Sequence, residues 1–198
     1  MPHYIGSSLL RGTLQAVKRA SGPQYATLLA QAGMLRYLET LPPPDDSPSC
    51  TAEEYSRLPA AVFAMLGEPL TRLFLRNLGT LGAARIAGVP QMAAWTAAAR
   101  ALPPEERTAW YVRWVAATNE QIWTHSPITE DATAWYITME VCATCLAIRG
   151  VSAPICDNST SLYRSLAEPI TGQKVRVAEV ECAALGAPHC KFAFYKKP

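Results

Sequence analysis

Apolar residues recur at helical spacing through the first two-thirds of the chain. This spacing predicts helices over residues 7–20 and 24–38, separated by the breaker Ser21-Gly22-Pro23. The capping-box sequence Thr51-Ala52-Glu53-Glu54 begins a third predicted helix, which ends near Leu66. Further helices are predicted after the turn at Gly67-Glu68-Pro69, after Pro90, and from Pro103-Pro104 to about Thr124.

In the last third of the chain, the period of the apolar residues changes from helical to alternating. From residue 134 to 141 every second residue is apolar, which predicts a half-buried strand. A short helix is predicted over 158–167. Two more alternating segments, 174–180 and 190–195, predict strands joined by a turn at Gly186. Strands linked by a helix and a hairpin, beside a helical layer, predict an α+β fold in which a small antiparallel β-sheet packs against α-helices.

The segment 41–50 is rich in proline and interrupts the helical pattern. Its four prolines cannot lie inside a helix, so a linker or exposed loop is expected there. A chain of 198 residues is typical of one domain, with or without an extension. We therefore predict a helical N-terminal extension, residues 1–45, followed by one main domain, residues 51–198.

Composition excludes several classes of protein. The chain is 49% hydrophobic and 17% charged, which excludes intrinsic disorder and suggests an apolar interface or cavity. The net charge is +2 and the basic residues are scattered, so no nucleic-acid-binding face is expected. Apolar stretches are interrupted well before about 18 residues, and the N-terminus lacks the pattern of a signal peptide. We expect a cytoplasmic protein without a transmembrane segment.

Six cysteines carry the most chemical information, because cytoplasmic cysteines are more often thiols or metal ligands than disulfides. Cys182 and Cys190 flank the predicted turn at Gly186, so they face each other across two paired strands. Glu179 lies three residues before Cys182, and Cys156 begins the preceding helix, where a thiolate is favoured. Three thiolates and a carboxylate suit tetrahedral Zn²⁺. Buried cysteines also pack as small hydrophobes, and spacing alone leaves both interpretations open.

The pattern Cys156, Glu179-x-x-Cys182, Gly186 and Cys190-x-Phe192 resembles the vinyl-4-reductase domain. That family is a small-molecule-binding module related to core subunits of the TRAPP vesicle-tethering complex and to sensor domains of phenol-sensing bacterial transcription activators. The clear resemblance covers about residues 134–196. It implies a TRAPP-subunit-like fold, an apolar pocket for an aromatic or tetrapyrrole-like ligand, and a tendency to dimerise. It also implies a structural zinc ion held by Cys156, Glu179, Cys182 and Cys190.

Three other side chains are candidate ligands at this site. Cys142 and Cys145 have the C-x-x-C spacing. That spacing is compatible with a redox pair, with a four-cysteine metal site completed by the two hairpin cysteines, or with packing in the core. His189 is an alternative to Glu179 as a zinc ligand, although strand alternation points it away from its neighbour Cys190.

Two residues are candidate ligand contacts. Trp135 begins the first predicted strand, at a place where aromatic-sensing members of the resembled family contact their ligand; core packing is the alternative. His125 follows a long helix and is either its C-terminal cap or a hydrogen-bonding group at the mouth of a pocket. The tryptophans of that helix, Trp110, Trp114 and Trp123, form an aromatic stripe that is typical of core packing.

No catalytic set can be assembled from the sequence, which lacks a G-x-G-x-x-G loop and any obvious flavin or nicotinamide site. Despite the name of the resembled family, reductase activity is not expected. We predict a zinc-containing small-molecule-binding domain that acts as a sensor, carrier or accessory protein for a hydrophobic aromatic or tetrapyrrole-like ligand. The alternatives are an enzyme or assembly factor of tetrapyrrole (bacteriochlorophyll) metabolism, and a lipid-binding tethering or scaffold protein.

A homodimer is also predicted. The helix over residues 70–87 carries small residues that allow another backbone to approach closely: Gly79, Gly82, Ala83 and Ala84. Because the whole chain has low charge, this face suits helix packing across a two-fold axis.

Overall fold

The N-terminal residues form a two-stranded sheet and two helices around a hydrophobic cluster of their own. The structure, a computed structural model, describes residues 3–122 and 124–197. Strand β1 (Tyr4–Gly6) is followed by helices α1 (Ser7–Ser21) and α2 (Tyr25–Gln31), and β1 pairs antiparallel with β2 (Pro48–Thr51). The cluster is built mainly from buried aliphatic side chains, among them Ile5, Leu10, Leu14, Leu28 and Leu29.

Two features of this N-terminal unit differ from the sequence-based expectation. The helix predicted over 24–38 ends at Gln31, because Gly33 adopts a left-handed backbone with φ of 68°. The proline-rich segment expected as a linker ends in β2, where Cys50 is buried opposite Ile5. The expected division between residues 1–45 and 51–198 therefore falls beside a strand that pairs across it, and that division stays a prediction.

Helix α3 (Ala52–Ala87) begins at the predicted capping box. The Glu54 N–H donates to the Thr51 hydroxyl, and the Thr51 N–H donates to the Glu54 carboxylate. At Gly67 the backbone leaves the helical region (φ 73°, ψ 173°), so two helical halves meet at a kink where the turn was predicted. By length and composition α3 could cross a membrane, a criterion that core helices of globular proteins also meet. The absence of a transmembrane segment stays a prediction.

The rest of the chain forms a four-stranded antiparallel sheet and the helices that pack on it. Helices α4 (Met92–Arg100) and α5 (Pro104–Ile122) precede strands β3 (Ile128–Glu130) and β4 (Ala134–Met139). Helix α6 (Asp157–Thr171) then leads into β5 (Val177–Glu181) and β6 (Cys190–Tyr195), and the spatial order is β3-β4-β6-β5. Large buried rings fill the core: Tyr111, Tyr163, Phe192 and Phe194. The predicted α+β fold is confirmed.

Element boundaries shift where the sequence pattern is weak. Strand β4 ends at Met139, β5 begins only at Val177, and α6 continues through Pro169 to Thr171. Strand β3 has no counterpart among the predicted strands, because its three residues are all exposed and show no alternation. Pairing with β4, rather than burial, therefore defines β3.

The small residues of α3 face α6 within the same chain. A Cβ at Gly79 would overlap the backbone carbonyl of Asn158, and one at Gly82 would lie 3.4 Å from Cδ1 of Leu162. Most of the face predicted to join two subunits is therefore occupied inside the subunit. The second half of α3 instead exposes large apolar side chains, namely Leu70, Leu73 and Leu81.

Candidate metal and ligand site

The loop between β4 and α6 carries two buried thiols, Cys142 and Cys145. They lie in a tight turn in which the N–H groups of Cys145 and Leu146 both donate to the Cys142 carbonyl, at 3.2 and 3.1 Å. Thr144 accepts a hydrogen bond at 2.8 Å from the side-chain amide of Asn158. This bond ties the turn to the first residues of α6.

Cys156 is the N-cap residue of α6 and is held from two sides. Its backbone N–H donates to Oε2 of Glu179 at 2.7 Å. The next residue, Asp157, forms ion pairs with Arg72 at 3.0 Å and with Arg76 at 3.1 Å. Both arginines lie on α3, so the long helix fixes the start of α6 against the hairpin.

Cys182 and Cys190 complete the site from the hairpin, as their spacing predicts. Cys182 follows β5, Cys190 opens β6, and Gly186 between them has φ of 93°. The N–H of Ala183 donates to the Cys190 sulfur at 3.4 Å, and both cysteine side chains are buried. The turn therefore supplies both the two sulfurs and a backbone donor to one of them.

Five sulfur atoms and one carboxylate converge at this point. The Cys142 and Cys156 sulfurs are 3.3 Å apart, those of Cys145 and Cys190 are 3.3 Å apart, and those of Cys156 and Cys190 are 3.8 Å apart. The ligand atoms form two overlapping sets, and within each set they lie within 4.8 Å of one another. One set is Cys142, Cys145, Cys156 and Cys190; the other is Cys156, Glu179, Cys182 and Cys190.

The second set contains the four residues named from the sequence. The first set is the four-cysteine site considered for the C-x-x-C pair, except that Cys156 takes the place expected for Cys182. His189 belongs to neither set among the described residues, and its Nδ1 is buried without a hydrogen-bond partner there.

Burial and mutual hydrogen bonding change the acidity of these groups. Burial raises the pKa of Cys156 well above that of an ordinary thiol, whereas a lowered pKa was expected at a helix N-terminus. Hydrogen bonds from the thiols of Cys145, Cys156 and Cys190 lower the pKa of Cys182. Burial, followed by the charge of Cys182, raises the pKa of Glu179 to about 8. A bound divalent cation would oppose these upward shifts, because it favours the deprotonated form of every ligand.

The Glu179 carboxylate is the strongest indication that a cation belongs here. Its Oε2 accepts the Cys156 N–H, whereas Oε1 is buried with no hydrogen-bond partner among the described residues. Burying a carboxylate oxygen without a partner costs free energy of folding, and a bound metal ion would supply that partner. Because the neighbouring donors are soft sulfurs, the residues present fit the zinc ion that the resemblance implies.

A cavity of about 430 Å³ lies beside the cysteines, among residues of α1, α3 and α6. Cys142 lines it, so the cavity and the cluster share a wall. This volume lies within the range of small-molecule pockets. Its walls combine apolar groups with the arginines Arg11, Arg19 and Arg85; the apolar side chains include Leu9, Leu78, Met139 and Leu162.

The two predicted ligand contacts lie elsewhere. Trp135 is half-buried on β4, with the Lys196 ammonium 4.8 Å from a ring centroid. The His125 side chain is 60% exposed, and its Nδ1 lies 3.0 Å from Oε1 of Glu120. Within the described part of the chain, neither residue lines the cavity. Ligand contact through Trp135 or His125 stays a prediction.

The other tryptophans named from the sequence divide into two groups. Trp110 and Trp114 are partly buried and pack against the main core, as the aromatic stripe predicted. Trp123 lies outside the described residues. The sequence gives no signal for the cavity-lining residues of α1 and α3, because segments far apart in the chain build that wall.

Comparison with known proteins agrees with the sequence resemblance. The profile of the vinyl-4-reductase domain matches residues 135–196, which confirms that resemblance over about a third of the chain. No curated protein sequence matches the chain. The phenol-responsive sensory domain of the transcription activator PoxR, solved with phenol, is similar in fold: TM-score 0.51 at 13% identity, over 88% of this chain and 90% of that one. A structure from a study of heme distortion in the H-NOX family has a TM-score of 0.57 at 12% identity, over 98% and 96% of the two chains.

Proposed function

We propose that this chain is a small-molecule-binding sensor domain that contains a zinc ion, because residues 135–196 match the vinyl-4-reductase domain. The observation that carries the proposal is the cavity of about 430 Å³ next to the buried cysteines. The fold of the PoxR sensory domain, which was solved with phenol, supports the same class of function. It does not identify the ligand, since the likeness at 13% identity is one of fold alone.

The ligand that we propose is a hydrophobic, aromatic molecule with one acidic or hydrogen-bond-accepting group. The leucine and methionine side chains of the cavity suit its apolar body. Arg11 and Arg85 each donate to a backbone carbonyl, of Pro42 and Ser8 respectively, at 2.7 Å through Nη1. Their remaining N–H groups can face an acceptor on the ligand.

Zinc is proposed to bind Cys156, Glu179, Cys182 and Cys190. When bound, it would supply a structural crosslink, with no catalytic step required of it. The chain's own residues do the positioning: Arg72 and Arg76 hold the start of α6 through Asp157, and the Gly186 turn holds the hairpin cysteines. The zinc would therefore join α6 to the β5–β6 hairpin.

A sensor must pass its signal to another surface, and we propose that this surface lies between two copies of the chain in the cytoplasm. Leu70, Leu73 and Leu81 are each about half exposed (53%, 51% and 51%), and their helical spacing places them within one face of α3. Leu81 also lines the cavity. Ligand binding and subunit contact would therefore involve the same helix.

The ligand proposal is tested by filling the cavity. Leu78→Trp adds bulk to its wall, whereas Leu102→Trp makes the same change at a half-buried leucine that does not line it. Organic extraction and mass spectrometry of the purified protein identify what co-purifies, and calorimetry with phenol tests one simple probe. We expect the Leu78 variant alone to lose the co-purified molecule while keeping its zinc. Equal ligand content in both variants would contradict the proposal.

A further inference from the structure

The cysteine cluster contains more donors than one zinc ion can use. A tetrahedral zinc site takes four ligands. If an ion occupies Cys156, Glu179, Cys182 and Cys190, the thiols of Cys142 and Cys145 remain buried against the bound sulfurs, with two sulfur–sulfur distances of 3.3 Å. If it occupies the four-cysteine set instead, the unpartnered Oε1 of Glu179 and the Cys182 sulfur remain. A single ion therefore leaves two buried donors unused in either arrangement.

The geometry of the sulfurs suits two ions that share ligands. Zinc–sulfur bonds of about 2.3 Å place the sulfurs of a tetrahedral site about 3.8 Å apart. The Cys156 and Cys190 sulfurs, which are common to both sets, are 3.8 Å apart. As the shared edge of two tetrahedra, they leave Cys142 and Cys145 as the remaining corners of one, and Glu179 and Cys182 as the remaining corners of the other. A thiolate sulfur has lone pairs enough to bridge two divalent ions.

We propose that the cluster is a dinuclear site, in which Cys156 and Cys190 bridge two divalent metal ions of the zinc type. Cys142 and Cys145 complete the first ion, and Glu179 and Cys182 complete the second. The proposal builds on the single zinc ion of the proposed function and adds a half-site made by the C-x-x-C turn. It gives every buried donor of the cluster a metal bond, including Oε1 of Glu179.

Charge balance permits the same arrangement. Three thiolates and one carboxylate carry four negative charges, of which one divalent ion neutralises two. The two additional thiolates of Cys142 and Cys145 would add uncompensated negative charge to a buried site. A second divalent ion balances those two charges, so the net charge of the site equals that of one ion with Cys142 and Cys145 as neutral thiols.

The test counts metal ions on the intact chain. The purified full-length protein is reduced, loaded with excess Zn²⁺, freed of loose metal by gel filtration, and measured by native mass spectrometry and elemental analysis. The wild type should hold two zinc ions per chain. The Cys142→Ser/Cys145→Ser variant and the Glu179→Gln/Cys182→Ser variant should each hold one. Cys50→Ala removes the buried cysteine outside the cluster and should leave two.

The wild-type count decides the proposal even if a variant fails to fold. One zinc ion per chain at saturation would overturn the dinuclear site and leave the single-zinc proposal intact, whereas none would overturn both. Two ions retained in the Cys142/Cys145 variant, or iron with acid-labile sulfide in the protein as purified, would also overturn it. With Co²⁺ in place of zinc, bridging thiolates should lower the magnetic moment per cobalt as the second ion binds.

Discussion

Gly79 of α3 lies directly against the backbone carbonyl of Asn158 in α6, so closely that a Cβ at position 79 would overlap that oxygen. Asn158 in turn donates its side-chain amide to Thr144, in the turn between Cys142 and Cys145. The contact between α3 and α6 therefore also sets the position of the turn that carries two of the thiols.

Gly79→Ala should destabilise the protein by about 1–3 kcal/mol, because the added methyl group forces α3 and α6 apart. Gly12→Ala is the matched control, since its Cβ would meet nothing closer than Arg85 Nη1 at 3.9 Å. In the helix α1 this control should be neutral or stabilising by up to about 1 kcal/mol. Urea unfolding of both variants measures the difference. Equal stability of the two would mean that the helices do not pack as described.

Glu179→Gln should weaken zinc binding by more than the roughly 10–100-fold typical of losing a residue that only supports a ligand. The amide keeps the shape of the side chain but removes the negative charge next to the Cys156 sulfur. Glu181→Gln is the control, because Glu181 is exposed and pairs with Lys191 at 3.4 Å. Competition with a zinc-binding dye gives both affinities. A similar loss in both variants would exclude Glu179 as a ligand.

Chelation should lower the melting temperature. A metal that binds only the folded chain stabilises it by about 4 kcal/mol when free metal exceeds the dissociation constant about 1,000-fold. Without the metal, the buried donors lose a partner and destabilise the folded chain. The effect should be largest for Glu179, because burial raises its pKa to about 8. Differential scanning calorimetry before and after dialysis against a chelator checks this, and adding Zn²⁺ back should restore the original value. An unchanged melting temperature, with metal loss verified, would argue against a structural role.

Trp135→Ala tests the ligand contact predicted from the sequence. Its indole offers an apolar face and one N–H donor, which suits a flat aromatic guest. If Trp135 binds the ligand, the variant should lose it while keeping its metal. The cost in stability should stay below the roughly 3–5 kcal/mol of a fully buried tryptophan, since Trp135 is only half-buried. If the variant keeps its ligand, and Leu78→Trp loses it, the cavity beside Cys142 is the binding site.

Leu73→Lys should convert the predicted homodimer into monomers, because it places a charge in the exposed leucine face of α3. Leu35→Lys is the control: Leu35 is equally exposed (53%, against 51% for Leu73) but lies on the N-terminal unit. Sedimentation velocity at micromolar concentration distinguishes the species. A wild type that sediments only at the chain mass of 21.5 kDa would refute the dimer.

The hairpin part of the site could be predicted from the sequence, because local geometry fixes it. Gly186 and the alternating strands bring Cys182 and Cys190 together, and Glu179 lies on the same hairpin. The sequence did not decide among a redox pair, a metal site and core packing for Cys142 and Cys145, since the segment between β4 and α6 has no periodicity. Its path depends on distant partners, such as the bond from Asn158 to Thr144 and the pairing of Asp157 with α3.

The same limit applies to the cavity and to the small residues of α3. Apolar positions on α1 and α3 indicate buried faces, but they do not say which helix each face meets. Gly79 was expected at a subunit interface and instead contacts the backbone of α6. The sequence does not distinguish these two cases, because a small residue allows a close approach whichever chain supplies the partner. The family resemblance indicated one set of four candidate metal ligands, whereas the overlap of two candidate sets needed the three-dimensional arrangement.

Ala143 packs in the N-terminal hydrophobic cluster, whereas its neighbours Cys142 and Cys145 belong to the core beneath the sheet. These residues share one tight turn, so a single short piece of backbone is anchored in both cores at once. Opening of the N-terminal unit would therefore pull on the turn that carries Cys142 and Cys145, and a change at those two cysteines would loosen an anchor of the N-terminal unit. The chain should behave as one cooperative folding unit rather than as a domain with a detachable extension.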